Sequence, residues 1–264
     1  MGAFLLSTVY LGSAQAGCPS PPSVALSKVA RVIDGDTLRL ADGRSVRLIG
    51  LNAPELADKG RPSEPYAEAA RRRLHALVDE AGGQVAILPG AQPRDRYGRA
   101  LANVYSPDGR NLEARLLEEG LGYQVVVPPN DALRLCHGAA ELTARRAGLG
   151  VWRRFSPRPS TAIDRSGFAI VEGRVLKVER NGGGLWLELE GGLALQVAQR
   201  DSERFDLALL QGLPGQVVEA RGWITDRGRR SARRSARARW VLRLTHPAML
   251  VTVPSEPKVV GSKP

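Results

Sequence analysis

Three short apolar runs separated by two Asp-Gly turns govern how the chain before residue 50 can fold. Val29-Ala-Arg-Val-Ile33 and Leu38-Arg-Leu40 flank Asp34-Gly35-Asp36-Thr37. Asp42-Gly43 then returns the chain through Ser45-Val-Arg-Leu-Ile49 with near alternation of apolar and polar residues. A period of two sends alternate side chains to a core and to solvent, and Asp-Gly supplies the backbone freedom that a tight hairpin needs. The pattern predicts a meander of paired strands. It also sorts charge: Arg47 falls on a strand, Asp36 beside the first turn, and Glu55 on the following loop, which Pro54 stiffens. All three can meet at one barrel mouth.

Two further charged words, Asn52-Ala53-Pro54-Glu55 and Asp95-Arg96-Tyr97-Gly98-Arg99, complete a set. A carboxylate turn for a hard cation, a lone Glu after Pro, and two separate arginines are the parts that phosphodiester hydrolysis needs. The cation and guanidinium groups offset phosphate charge while the Glu activates water. Each word alone also has a structural reading: an ordinary hairpin turn, a loop ion pair between Asp95 and Arg99, a surface acid at Glu55. Their order along the chain is what joins them.

With Arg99-Ala-Leu-Ala-Asn-Val-Tyr105, Leu116-Leu-Glu-Glu-Gly-Leu121 and Gly148-Leu-Gly-Val-Trp152 included, the stretch from Val29 to Trp152 resembles the thermonuclease (staphylococcal-nuclease-like) family. The resemblance implies an OB-type, five-stranded Greek-key barrel with three helices, and calcium-dependent cleavage of DNA and RNA to 3′-phosphate ends. By position it makes Asp36 the first metal carboxylate, Arg47 and Arg99 the phosphate-clamping arginines, and Glu55 the general base. Arg96 and Tyr97 fall where the family contacts a terminal phosphate. Asn52 stands where the family has its second metal aspartate. Ala53, whose backbone carbonyl completes the implied ligand set, stands in place of a Thr. An amide oxygen still suits Ca2+ but brings no charge, so weaker calcium binding or another divalent ion is expected. Val125-Val126-Val127-Pro128 replaces tyrosines that the family places before its last helix, which bears on affinity and base preference.

Helical spacing of Tyr66, Ala70, Leu74, Leu77 and Val78 predicts a helix from Pro65 to about Glu80. Arg71, Arg72 and Arg73 read as its solvated face, with a binding site the alternative, and His75 as a surface or packing residue. Gln84–Leu88 and Ala100–Tyr105 read as strands and Leu112–Glu119 as a helix stopped by Gly120. A further helix, capped by Asn130 or Asp131, runs to about Ala147. This nuclease-like unit spans residues 28–152, after an N-terminal arm over 17–27.

Arg153-Arg-Phe-Ser-Pro-Arg-Pro-Ser160 reads as a basic linker within 153–165. Beyond it, strands are predicted at 169–179, 185–190, 193–198, 216–225 and 240–244, with a helix at 202–210 that has Glu203 and Asp206 in its first turn. That is the order of a second OB-like β-barrel, over 166–252, followed by a disordered tail at 253–264. The fold class is therefore mainly β with α: an OB-type barrel with three helices, then a smaller OB-like barrel. Between its last two strands, Arg227 to Arg239 holds seven arginines and no acid. Arg227, Arg229, Arg230, Arg233 and Arg234 are candidate phosphate contacts there. Trp223 and Trp240 are expected in the core, with base stacking as the alternative.

A formal charge of +11 and a pI near 10.4 point to a polyanionic partner. Single-stranded DNA and RNA are expected to bind, with duplex DNA a further candidate. Ala3-Phe-Leu-Leu-Ser-Thr-Val-Tyr-Leu11 before Ala14-Gln15-Ala16 reads as a signal peptide over 1–16, too short to span a bilayer, although the positive n-region is missing. An exported, periplasmic or secreted monomer is expected. Cys18 and Cys136 can then pair, the alternative being a buried Cys136 and a free Cys18. No Cys/His pattern points to zinc. The rival reading is a non-catalytic nucleic-acid- or polyanion-binding protein of the cell envelope.

Overall fold

The structure is a computed structural model that describes residues 18–21, 23–58, 60–228 and 238–254. The leader at 1–16 and Arg229, Arg230, Arg233 and Arg234 lie outside the described residues, as does the tail beyond residue 254.

The predicted meander forms as β1 (Leu26–Val32), β2 (Thr37–Leu40) and β3 (Ser45–Leu48), followed by the short β4 (Leu51–Asn52). Helix α1 (Ala67–Glu80) leads to β5 (Gln84–Arg94) and β6 (Ala100–Tyr105). Helix α2 (Leu112–Glu118), β7 (Tyr123–Gln124) and α3 (Arg134–Ala147) complete this half. A closed barrel runs in the order β1-β2-β3-β6-β5, with β3 and β6 parallel. Alternation fills it as expected: Leu38, Leu40, Val46 and Leu48 point inward with Val85, Ala102 and Val104. Leu74 and Leu77 of α1 and Leu112, Leu116 and Leu117 of α2 close the same core. Each such side chain contributes on the order of 2 kcal/mol by leaving water.

Two helix expectations are corrected. Tyr66 is 37% exposed and precedes α1 in a left-handed conformation, so Ala67 takes the buried position. Neither Asn130 nor Asp131 caps α3, which starts at Arg134 without a side-chain cap. The Asn130 amide reaches β5 instead, accepting from Gln92 N (2.8 Å) and donating to Gln92 O (2.9 Å). The Cys18–Cys136 disulfide is present and ties the N-terminal arm to α3.

The second half contains β8 (Arg158–Pro159), β9 (Gly167–Asn181), β10 (Gly184–Leu189), β11 (Leu193–Val197), α4 (Leu207–Gln211), β12 (Val217–Asp226), β13 (Trp240–Leu244) and β14 (Leu250–Val253). Five of these close in the cyclic order β9-β10-β11-β13-β12, with β11 and β13 parallel. This repeats the connectivity of the first barrel. The predicted 202–210 helix is corrected: 199–204 is a 3₁₀ segment, and α4 starts after Asp206, whose carboxylate accepts from Leu209 N at 3.0 Å. Trp240 is buried as expected, but Trp223 is 42% exposed and sits edge-on to Phe168, so the core reading fails there.

Aromatic packing and two ion pairs join the halves. Tyr123, Trp152, Phe155 and Phe168 stack with centroids 4.6–6.5 Å apart. Glu141 of α3 meets Arg221 of β12 at 2.6 Å, and Arg145 meets Glu219 at 2.5 Å. Both glutamates are buried, so removing either arginine would leave an uncompensated charge.

Candidate active site

Asp36 is set by its own turn. The Asp34 side chain accepts from Asp36 N at 3.0 Å, a local bond that fixes the bend. Gly35 allows the turn to close on the body of the domain, because a Cβ there would lie 2.6 Å from the side chains of Ala53 and Ala70. Asp36 is thereby buried, with one carboxylate oxygen accepting from Ala53 N (2.8 Å) and meeting the Arg47 guanidinium (2.8 Å). The other accepts from the Thr37 hydroxyl at 3.1 Å. Burial pushes the Asp36 carboxyl up to about 7, with Asp34 adding to the rise and Arg47 and the Ala53 N–H opposing it.

Arg47 arrives from β3, directly opposite Thr37. Its Nη1 also donates to Leu51 O (2.9 Å) and Leu48 O (3.2 Å), and its Nη2 to Asn52 Oδ1 (3.3 Å). Among the described residues no acceptor meets its Nε–H, so part of the fork stays available. Asn52 is held by β4, which pairs with β7. Gly50, at a positive φ of 83°, makes the bend between β3 and β4 and passes so close to His137 that a Cβ would lie 2.2 Å from Nδ1. One backbone bend thus brings Asn52 back against Arg47 and the Ala53 N–H onto the carboxylate that Arg47 meets.

Glu55 stands exposed beside this cluster. Its loop is closed by Glu64, which accepts from Glu55 N at 3.0 Å and donates its own N–H to Glu55 O at 2.8 Å. Partial burial raises the Glu55 carboxyl, with Asp34 and Glu64 adding and Arg47 and Arg61 opposing. A carboxylate so placed is a stronger base than a free one.

The Asp95 turn forms a neighbouring cluster. Asp95 accepts from Tyr97 N (2.9 Å) and Arg99 N (3.0 Å) and pairs with Arg99 Nε at 2.7 Å. Tyr97 is 70% exposed, with the Arg96 and Arg99 guanidinium groups 4.8 and 5.7 Å from its ring. Arg99 is therefore engaged by Asp95 and not by Asp36. Arg227 lies on the second barrel, 5.7 Å from the Trp186 ring, apart from both clusters.

The acceptors gathered on the Arg47 guanidinium are hard oxygens: the Asp36 carboxylate, the Asn52 amide and the Leu48 and Leu51 carbonyls, with Asp34 bonded to the Asp36 backbone. That set fits calcium or magnesium, and a cation would offset the burial that raises Asp36. Among the described residues, the only close grouping of three His, Cys or carboxylate ligand atoms is Cys18, Cys136 and His137. Its sulfurs are locked in the disulfide, so it is not an ion site.

Sequence reasoning missed a buried network behind the site. Glu113 is fully buried, accepts from Val104 N (2.9 Å) and Asn111 Nδ2 (2.7 Å), and is pushed up to about 8 by burial, with Arg47 among the opposing groups. His137 Nε2 lies 3.0 Å from Asn111 Oδ1. Asn111 was legible as a cap for α2, since Asn three residues ahead of a backbone donor suits that role, and its side chain does accept from Ala114 N at 2.8 Å. The burial of Glu113 leaves no such signal.

Residues 45–154 match the family model described as Staphylococcal nuclease homologue. A thermonuclease of Staphylococcus intermedius is 36% identical over 129 residues, covering 48% of this chain and 75% of that protein. An uncharacterized endonuclease of Escherichia coli is 30% identical over 135 residues, 50% of this chain and 80% of that protein. Succinoglycan biosynthesis protein ExoI of Rhizobium meliloti is 33% identical over 129 residues, 47% of this chain and 63% of that protein. The second barrel lies beyond the family match.

Proposed function

The chain belongs to the staphylococcal nuclease family, and from that premise we propose that it is a calcium-assisted endonuclease that hydrolyses DNA and RNA and leaves 3′-phosphate ends. The observation that carries this reading is the buried Asp36–Arg47–Asn52 cluster with Glu55 at its edge. Asp36, Asn52 Oδ1 and the Ala53 carbonyl would hold a divalent cation, which would supply positive charge at the phosphoryl oxygens. Glu55 takes the proton from the water that attacks phosphorus, the P–O bond to the 5′ oxygen breaks, and that oxygen leaves with a proton from solvent. Arg47, through the part of its fork not tied to Asp36 and Asn52, and Arg99 donate to the phosphoryl oxygens as charge accumulates. Arg96 and Tyr97 hold the terminal phosphate.

The Cys18–Cys136 disulfide supports an exported protein, because such bonds persist in oxidising compartments. The second barrel adds affinity for nucleic acid. Arg227 at the edge of the arginine-rich segment and the exposed Trp223 are the described residues that favour this role. Glu55→Gln tests the mechanism: nucleic-acid binding is expected to stay at the level of the unaltered protein while cleavage falls by roughly 10²–10⁴-fold. Equal cleavage by both proteins would remove Glu55 from the reaction.

A further inference from the structure

We propose that the cleft between the β2–β3 hairpin and the Asp95 turn is an additional phosphate subsite, in which Arg39 and Arg94 hold the backbone of a nucleic-acid strand next to the reacting phosphate. The nature of the occupant rests on the nuclease reading above; the anion site itself does not. The cleft has a volume of about 590 Å³ and is lined by Arg39, Arg44, Arg94 and Arg99, with Asp42 as its one carboxylate and Tyr97 on its wall.

Register explains why these arginines meet. Arg39 pairs with Ser45, and Thr37 with Arg47, so Arg39 and Arg47 occupy successive outward rows of one sheet. On the parallel strand Ala100 aligns with Val46, which sets Arg99 level with Ser45 and Arg39. Arg94 pairs with Ala100 from the other side. Residues two apart on one strand face are separated by about 6.6–6.8 Å. That is comparable to the step between successive phosphates of an extended strand, so one phosphate at Arg47 leaves its neighbour in the cleft.

The charges there are unequally compensated. Arg44 is paired with Asp42, and Arg99 with Asp95, each at 2.7 Å. Arg39 and Arg94 donate only to backbone carbonyls, Gly43 O at 2.8 Å and Gly98 O at 3.2 Å, and among the described residues neither has a carboxylate partner. On α1, by contrast, Arg71 pairs with Glu68 and Arg73 with Glu80 and Glu119. Arg71 and Arg73 are thus neutralised locally, whereas the cleft keeps two oriented cations beside the reacting row.

The test uses the full chain and the Arg39→Gln/Arg94→Gln double variant. Binding of a labelled oligothymidylate is measured over a salt series with divalent ions chelated, so the readout does not depend on cleavage. The slope of log affinity against log salt is expected to fall by about 0.7, the loss of the one phosphate contact in the cleft. Arg39→Lys/Arg94→Lys keeps the charges and is expected to restore most of it. With calcium, KM for long single-stranded DNA is expected to rise several-fold while turnover of a substrate with a single diester stays unchanged. An unchanged slope overturns the subsite, and so does an equal loss on the single-diester substrate, because the arginines would then act at the reacting phosphate. A fallen slope in a protein that cleaves nothing would keep the anion site and defeat the nuclease reading.

Discussion

The Asp36 carboxylate and the Arg47 guanidinium lie 2.8 Å apart, and both side chains are nearly withdrawn from solvent. Arg47 also anchors three carbonyl oxygens, two from the backbone and one from Asn52. It is therefore a structural post as well as a candidate phosphate donor. A lysine keeps the charge but cannot spread donors across these acceptors.

Arg47→Lys is accordingly expected to lower the cleavage rate by roughly 10²–10³-fold. Steady-state assays on single-stranded DNA read this directly. A loss below about tenfold would mean that charge alone suffices and the fork is dispensable.

Asn52→Asp gives a second carboxylate to the hard-oxygen set and is expected to lower the calcium concentration for half-maximal activity about tenfold. Calcium titration of activity, with direct calorimetric binding beside it, checks the point. An unchanged half-saturation would place the ion away from residue 52.

His137 makes stability depend on pH. Burial holds its ring down to about 4, against about 6.5 in an unfolded chain. As pH falls the unfolded chain takes up the proton first. The stabilisation is therefore complete above pH 6.5 and is lost between about pH 6.5 and 4. At pH 5 the loss is about 2 kcal/mol. Asp36 and Glu113, raised to about 7 and 8, shift stability the other way over the same window. Denaturant unfolding at pH 7 and pH 5 is therefore compared between the protein and His137→Gln, and the pH 5 minus pH 7 difference should change by about 2 kcal/mol. The same pH slope in the variant would assign the titration elsewhere.

The disulfide spans a sequence separation of 118. Replacing Cys18 and Cys136 together by Ser is expected to cost about 3–4 kcal/mol, with the lower melting temperature matched by the unaltered protein under reductant. Equal melting temperatures for the reduced and oxidised protein would show that the arm adds little constraint.

Much of this architecture was legible in the chain. The period-two runs around Asp34-Gly35 and Asp42-Gly43 form the meander, and Trp240–Leu244 is the strand predicted there. The ordered charges set Asp36, Arg47 and Glu55 at one barrel mouth; Asp36 and Arg47 do pair, while the contact of Arg47 with Asn52 is not among those expectations. What stayed hidden depends on partners far along the chain. Asn130 reads as a helix cap because caps are local, but its amide is taken by Gln92, 38 residues away. Nothing in the local pattern marks Glu113 as buried; the Val104 N–H and the Asn111 amide hold it inside. Trp223 lies in an apolar run, yet its position on β12 leaves it 42% exposed. Arg39 and Arg94 look like scattered charges until barrel closure puts them on one wall.

The most direct test of the account is digestion of single-stranded DNA by the protein in calcium and again with excess chelator. The account predicts cleavage in calcium, its loss on chelation, and fragments that carry 3′-phosphates. Salt-sensitive binding with no cleavage in calcium, magnesium or manganese would contradict it and leave a nucleic-acid-binding protein in place of an enzyme.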